Sequence, residues 1–252
     1  MFPLLQLGPV ALQSPGMILL VTLWFSLTVA EKEAKRLGQP HDAAYGLVMT
    51  ALVGGIIGAR LWYVARYWSA YAADPIGIVA LSFNTLDPTA GFVIGLALAL
   101  LYGYRKKLPL RPTLDVLTPG LAVFSIGLGL SHLASGNAFG APTEMPWAIY
   151  LWDANRHPTQ IYEIILTAAV FGVIWFIRKA SPFPGFLFLA WLALTAVCRL
   201  FLEAFRGDSI IVADSIRQAQ LASLIVLLAS LWLMRQWAMD SSQQDDLQNH
   251  PT

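Results

Sequence analysis

Arg156-His157-Pro158-Thr159-Gln160-Ile161-Tyr162-Glu163 places a guanidinium, an imidazole, a carboxamide, a phenol and a carboxylate before, and into, an apolar run that ends at Ile177. Arg199, Glu203 and Arg206 stand four and three residues apart, a spacing that puts them on one helical face. His132 closes another apolar run, and Arg60 lies inside a third. A charged side chain at membrane depth costs about 2.5–3.5 kcal/mol, so such groups persist where they line a site or pair with one another. Arginine forks hold phosphate in a bidentate way, and the phosphate at that depth belongs to a phospholipid headgroup. Lipid-headgroup chemistry is the reading these residue types support, with lipid binding alone beside it.

The elements that must position them are membrane helices. Hydrophobic residues make up 57% of the 252-residue chain and charged residues 12%, with a net charge of +1, which excludes a disordered chain and an ordinary soluble domain. Seven apolar runs approach the roughly 20 residues that cross a hydrocarbon core. They cover residues 12–30, 44–68, 90–104, 116–133, 158–177, 183–205 and 219–234. The expected fold is therefore an all-α polytopic membrane protein of about seven transmembrane helices. Residues 1–237 form a single membrane domain and residues 238–252 a polar, disordered tail. Residues 1–13 carry no Lys or Arg ahead of an apolar stretch, so no signal peptide is expected. The single cysteine, Cys198, excludes an intrachain disulfide.

Positive charge orients the spans. Lys32, Lys35 and Arg36 fall in the first connection, Arg105, Lys106, Lys107 and Arg111 in the third, and Arg178 and Lys179 in the fifth. The second and fourth offer only Arg66 and Arg156. The odd connections are therefore cytoplasmic, the N-terminus outside and the C-terminus inside. On that topology Arg60, His132, Arg156, His157, Gln160, Glu163, Arg199, Glu203 and Arg206 all reach the outer leaflet, while the inner halves of the same helices carry almost no charge. The pattern describes a polar chamber open to one side. A transporter needs polar groups or broken helices around the midplane and access from both sides.

Each residue also has a plainer reading. Arg199, Glu203 and Arg206 can neutralise one another, and charges near a helix end can snorkel to the headgroups. His157 before Pro158 can be a helix-entry residue. Glu163 needs a partner, for which Arg60 and Arg199 are the candidates. Cys198 reads as packing rather than nucleophile. Gly54, Gly55, Gly58, Gly127 and Gly129 fit close helix packing, and Trp147, Tyr150 and Trp152 fit an interfacial belt.

The octet from Arg156 to Glu163 resembles the Arg-His-Pro-Ser/Thr-Gln-Leu-Tyr-Glu segment of prolipoprotein diacylglyceryl transferases. Gly58-Ala59-Arg60-Leu61-Trp62-Tyr63 is similar to their Gly-Gly-Arg-x-Gly-Tyr, and the run from Arg199 to Arg206 to their Arg-Phe-x-x-Glu-Phe-x-Arg. The resemblance extends over about residues 13–237. It implies transfer of a diacylglyceryl group from phosphatidylglycerol to the lipobox cysteine of a prolipoprotein, at the outer face of the bacterial cytoplasmic (inner) membrane. Arg199, Arg206 and Arg60 would then neutralise the phosphate, with Glu203 and Glu163 orienting the guanidiniums. Gln160 and Tyr162 would bond the headgroup or the peptide, and Arg156, His157, Gly136 and Asn137 complete the expected substrate-binding set.

The chain departs from the family pattern in places. Where the family carries Arg-x-Gly-Asn-x-x-Asn-Gly-Glu, this sequence reads Gly129-Leu130-Ser131-His132-Leu133-Ala134-Ser135-Gly136-Asn137. The family's His-Gly-Gly is Thr89-Ala90-Gly91, and its Tyr-Gly is Pro15-Gly16. Two accounts stay open. An imidazole titrates near neutral pH and can accept a thiol proton, so His132 can replace the missing base, giving a catalytic set of His132, Arg199 and Glu203. Alternatively the chain is a divergent member that binds phospholipid and uses another acceptor, or is catalytically inactive. Small-solute transport is a third reading.

The longest non-spanning stretch, residues 135–156, is expected to form a small extracytoplasmic head over the chamber. Residues 76–83 suggest a helix lying in the interface. No nucleic-acid patch, metal-spaced His/Cys set or phosphate-binding glycine loop is present, so neither cofactor, metal nor nucleic acid is expected. The expected partners are phosphatidylglycerol, a lipobox-containing prolipoprotein and the membrane itself.

Overall fold

The computed structural model describes residues 4–7, 10–73, 75–78, 85–212 and 216–249. The chain is an all-α membrane protein with short hairpins at helix ends. Its helices are α1 (Ser14–Arg36), α2 (His41–Arg66), α3 (Trp68–Ala73), α4 (Pro88–Arg105), α5 (Leu110–Ser135), α6 (Thr159–Ile177), α7 (Phe186–Glu203) and α8 (Gln218–Asn249). Among the described residues six helices are long and apolar enough to cross a membrane: α1, α2, α5, α6, α7 and α8. The third expected span corresponds to α4, an 18-residue helix that is not one of the six. The flanking Arg105 and the Pro88-Thr89 entry dilute its apolar run.

The chain divides into two compact units, Ala34–Thr113 and the combination of Met1–Glu33 with Leu114–Thr252. In the first, α2 and α4 pack through small residues. A Cβ on Gly95 would stand 2.6 Å from the Ala51 carbonyl oxygen, and one on Gly55 2.9 Å from that of Gly91. The absence of side chains there lets the two backbones meet; Gly55 is a packing residue as expected, and Gly91 and Gly95, which the sequence reading did not single out, face it. Asp87 caps α4 by accepting the Ala90 N–H at 2.9 Å. The connection between α2 and α4 holds α3 and a 3₁₀ turn at Pro75–Ile78. Residues 79–83 of the interfacial helix expected there lie outside the described residues.

In the second unit, α1 runs along α5, where a Cβ on Gly120 would stand 2.6 Å from the Ser26 carbonyl. Gly129 gives α6 the same access: a Cβ there would meet Ile164 at 2.9 Å. A core of Val170, Ile174, Leu187 and Ala190, with Trp191, Leu194 and Met234 against it, joins α6, α7 and α8. The end of this unit at which α6 closes and α7 begins holds a buried ion pair and a side-chain cap. Glu33, fully buried, pairs with Arg178 at 3.2 Å. Asp115 accepts the Gly185 and Phe188 amides at 2.6 and 3.0 Å, satisfying the first turn of α7 from a neighbouring helix.

The hairpins pair β1 (Leu4–Leu7) with β2 (Val10–Gln13), β3 (Ile149–Leu151) with β4 (Ala154–Arg156), and β5 (Ile211–Val212) with β6 (Ile216–Arg217), all antiparallel. Helix α8 continues to Asn249, into the tail expected to be disordered; residues 250–252 lie outside the described set.

Candidate active site

The site is built where α5 ends, α6 begins and α7 ends, with the head segment between them. Helix α5 stops at Gly136, whose φ of 77° places it in the left-handed region. Its N–H returns to the His132 carbonyl at 2.9 Å, the usual glycine closure of a helix C-terminus. The chain then passes between the other two helix ends. Ala141 N–H bonds the Phe205 carbonyl at 2.8 Å, Gly207 N–H bonds the Phe139 carbonyl at 2.9 Å, and His157 N–H bonds the Ala141 carbonyl at 3.1 Å. The approach requires glycine: a Cβ on Gly140 would collide with the His157 carbonyl, and one on Gly207 would stand 2.6 Å from the Gly140 carbonyl.

The head continues as the β3–β4 hairpin, in which Ile149 faces Arg156. Its two-residue turn, Trp152-Asp153, has φ of 50° and 58°, a primed turn in residues that seldom adopt it. Arg156 compensates. Its guanidinium donates to the carbonyls of Leu151 at 2.9 Å, Gly140 at 3.3 Å and Trp152 at 3.4 Å, and lies 5.0 Å over the Phe139 ring. The Trp152 indole N–H reaches the Gly136 carbonyl at 3.1 Å. Arg156 and Gly136, expected to bind substrate, thus hold the head together.

Helix α6 supplies the next layer. Thr159 Oγ1 donates to the Ala138 carbonyl at 2.6 Å, and Gln160 Nε2 to the Asn137 carbonyl at 2.9 Å. Asn137 itself is exposed. Tyr162 accepts the Trp147 indole N–H at 2.7 Å, so Trp147 ties the head to α6 rather than serving only as an interfacial ring. His157 packs edge-on to Phe205, with ring centroids 5.3 Å apart.

Glu163 pairs with neither arginine. Its Oε2 lies 2.8 Å from His132 Nδ1, across the close α5–α6 contact at Gly129. The reason is geometric: His132 and Glu163 lie on facing helices, which sequence spacing cannot reveal. A carboxylate on Nδ1 selects the tautomer protonated there and leaves Nε2 as a proton acceptor.

At the end of α7, Glu203 is buried between two arginines. Its Oε2 lies 3.5 Å from Arg199 Nε and 3.9 Å from Arg206 Nε, separations of ion pairs rather than of good hydrogen bonds. Arg206 also grips Asp208 in bidentate fashion, at 2.8 and 2.7 Å. Arg199 is more open, with 37% of its side chain exposed. A cavity of about 340 Å³ opens between α5, α6, α7 and α8, and Glu163, Cys198 and Arg199 are in its wall. Its other hydroxyls turn back to their own helices: Ser125 to the Leu121 carbonyl, Thr167 to Glu163, Thr195 to Trp191 and Ser223 to Ala219. The cavity therefore joins an acyl-compatible wall to a carboxylate and a guanidinium.

A sequence profile of the prolipoprotein diacylglyceryl transferases matches residues 3–236. The chain belongs to that family. It is 28% identical over 237 residues to a phosphatidylglycerol–prolipoprotein diacylglyceryl transferase of Trichormus variabilis, covering 88% of this chain and 84% of that protein. Proteins of the same name from Clostridioides difficile and Halalkalibacterium halodurans are 27% and 26% identical, over 86% and 91% of this chain and 87% and 83% of theirs.

Of the residues the family resemblance selects, Glu163 and Arg199 line the cavity, His132 stands behind Glu163, and Glu203 and Arg206 lie beside Arg199 at the α7 end, with Gln160 and Tyr162 under the head. Arg60 belongs to the other unit. Its guanidinium donates to the carbonyls of Gly77, Thr85 and Ile78 at 2.5, 3.0 and 3.2 Å and lies 5.2 Å over Tyr71. It secures the connection between α2 and α4. One residue of the cluster gives little sequence signal. Arg217, the last residue of β6 and immediately before α8, donates to the carbonyls of Glu203 and Arg206 and lies 3.4 Å from Ser209 Oγ. Only its place, a lone cation immediately before the last span, marks it.

Proposed function

We propose that the protein transfers a diacylglyceryl group from phosphatidylglycerol to the cysteine thiol of a prolipoprotein, at the outer face of a bacterial cytoplasmic membrane. Membership of the transferase family supports the reaction. The observation that carries it for this chain is Arg199, held beside buried Glu203 and open to a cavity between membrane helices.

In this reading the lipid phosphate binds Arg199, with Arg206 behind it, and an acyl chain occupies the cavity. His132 Nε2 takes the thiol proton, and Glu163 on Nδ1 stabilises the imidazolium that results. The thiolate attacks the glycerol carbon that bears the phosphate. The S–C bond forms as the C–O bond breaks, and glycerol phosphate leaves with the bonding pair. Negative charge grows on the departing oxygen, where preorganised guanidiniums are most effective. The head, fastened by Thr159, Gln160 and Tyr162, would receive the peptide.

The test is direct. Purified protein in phosphatidylglycerol-containing micelles is given a lipobox peptide, and mass spectrometry follows the cysteine. A diacylglyceryl adduct that forms with the parent protein and is lost in Arg199→Ala is the expected result. Retained lipid with no adduct from the parent protein would overturn the transfer reading and leave a lipid-binding member of the family.

A further inference from the structure

We infer that Arg217 is a positioning residue for the lipid phosphate, acting through the end of α7; the inference rests on the transfer reading. Arg206 and Asp208 form one ion pair of the segment, and Glu203 holds Arg199 and Arg206 from below. These side-chain pairs do not hold the backbone that carries them; the head holds it at Phe205 and Gly207, and Arg217 at Glu203 and Arg206. A helix C-terminus leaves its last carbonyls without intrahelical donors, and a cation placed there satisfies them and complements the helix dipole. Arg217 does this for α7. Through Nη1 it meets the carbonyls of Glu203 and Arg206, the latter at 3.1 Å, with Ser209 Oγ at 3.4 Å.

Those carbonyls belong to two of the three residues of the charge cluster. Arg217 therefore spans the connection between α7 and α8 and sets the direction from which Arg199 and Arg206 address a phosphate. It does not touch the lipid itself. Its described hydrogen bonds all run to the α7 end and the segment after it, whereas the His132–Glu163 pair stands on α5 and α6. Removing Arg217 should consequently weaken the lipid side of the reaction more than the peptide side, because the head, although bonded to Phe205 and Gly207, is also held by α6 through Thr159, Gln160 and Tyr162. Lysine keeps the charge and can donate to carbonyls, but on a more flexible stem than the planar guanidinium.

The experiment measures adduct formation at varied lipid and varied peptide for the parent protein, Arg217→Ala and Arg217→Lys, with thermal unfolding of each in the same detergent. A charge-assisted hydrogen bond is worth roughly one to two decades in an equilibrium constant. The expected result for Arg217→Ala is a rise of about tenfold or more in KM for phosphatidylglycerol, with a smaller change in KM for the peptide. Arg217→Lys should recover part of the loss. An unchanged lipid KM would overturn the inference. So would a loss of active fraction alone, seen as a lower maximal rate with both KM values intact and a lower melting temperature.

Native mass spectrometry of phosphatidylglycerol retention supplies a readout independent of turnover. Should the parent protein form no adduct, the transfer reading fails by itself. Weaker lipid retention by Arg217→Ala than by the parent would still support Arg217, and equal retention would overturn it.

Discussion

Arg199 and Arg156 show how the same side chain serves two purposes. Arg199 was expected in the catalytic set and Arg156 among the substrate-binding residues; Arg156 spends its donors on three carbonyls of the head, while Arg199 meets one carboxylate oxygen and opens to a cavity. Arg156→Ala should therefore cost about 2–3 kcal/mol of stability, the worth of its charge-assisted bonds, and leave KM for phosphatidylglycerol unchanged in the protein that remains folded. Thermal unfolding and lipid titration of one preparation separate the two effects. Arg199→Ala should do the reverse, lowering lipid affinity by about tenfold to a hundredfold with a near-parental melting temperature. Residue types and spacing made the Arg199–Glu203–Arg206 cluster legible, because neighbours on one helical face interact. They did not reveal the His132–Glu163 pair, whose members stand 31 residues apart. Nor did they reveal where Arg60, Arg156 and Arg217 direct their donors, since their acceptors are backbone carbonyls of irregular segments.

Glycines set how closely the elements approach. Between α2 and α4, Gly55, Gly91 and Gly95 allow backbone contact, and between the head and α7 the same is true of Gly140 and Gly207. Gly95→Ala would press a Cβ against the Ala51 carbonyl and force α2 and α4 apart, at a cost of about 1–3 kcal/mol in detergent unfolding. Gly140→Ala acts at the site: its Cβ would collide with the His157 carbonyl, displacing the head from α6 and α7. The expected outcome is loss of transfer together with a change in Trp147 fluorescence, because the Trp147–Tyr162 bond holds that head in place. Gly55 on α2 was read as a packing glycine from the sequence, but its partners Gly91 and Gly95 on α4 were not. The crossing of residues 139–142 between two helix ends could not, because the pattern there is neither helical nor alternating.

For the molecule as a whole, the apolar runs found the helices, and the distribution of Lys and Arg predicts which side each connection faces. A cysteine introduced by Gln243→Cys, in a Cys198→Ser background, should react with an impermeant maleimide only in inside-out vesicles; labelling from outside would reverse the orientation. An inverted chain would set the whole charge cluster against the wrong leaflet for a secreted acceptor. We propose that this member of the family runs its reaction with a base formed by His132 and Glu163. The measurement that tests it most directly is the rate of diacylglyceryl adduct formation on a lipobox peptide by His132→Ala beside the parent protein. General-base assistance is worth about 10²–10⁴-fold, so a fall of that size with lipid binding preserved is expected. A His132→Ala protein that transfers at the parental rate would contradict it.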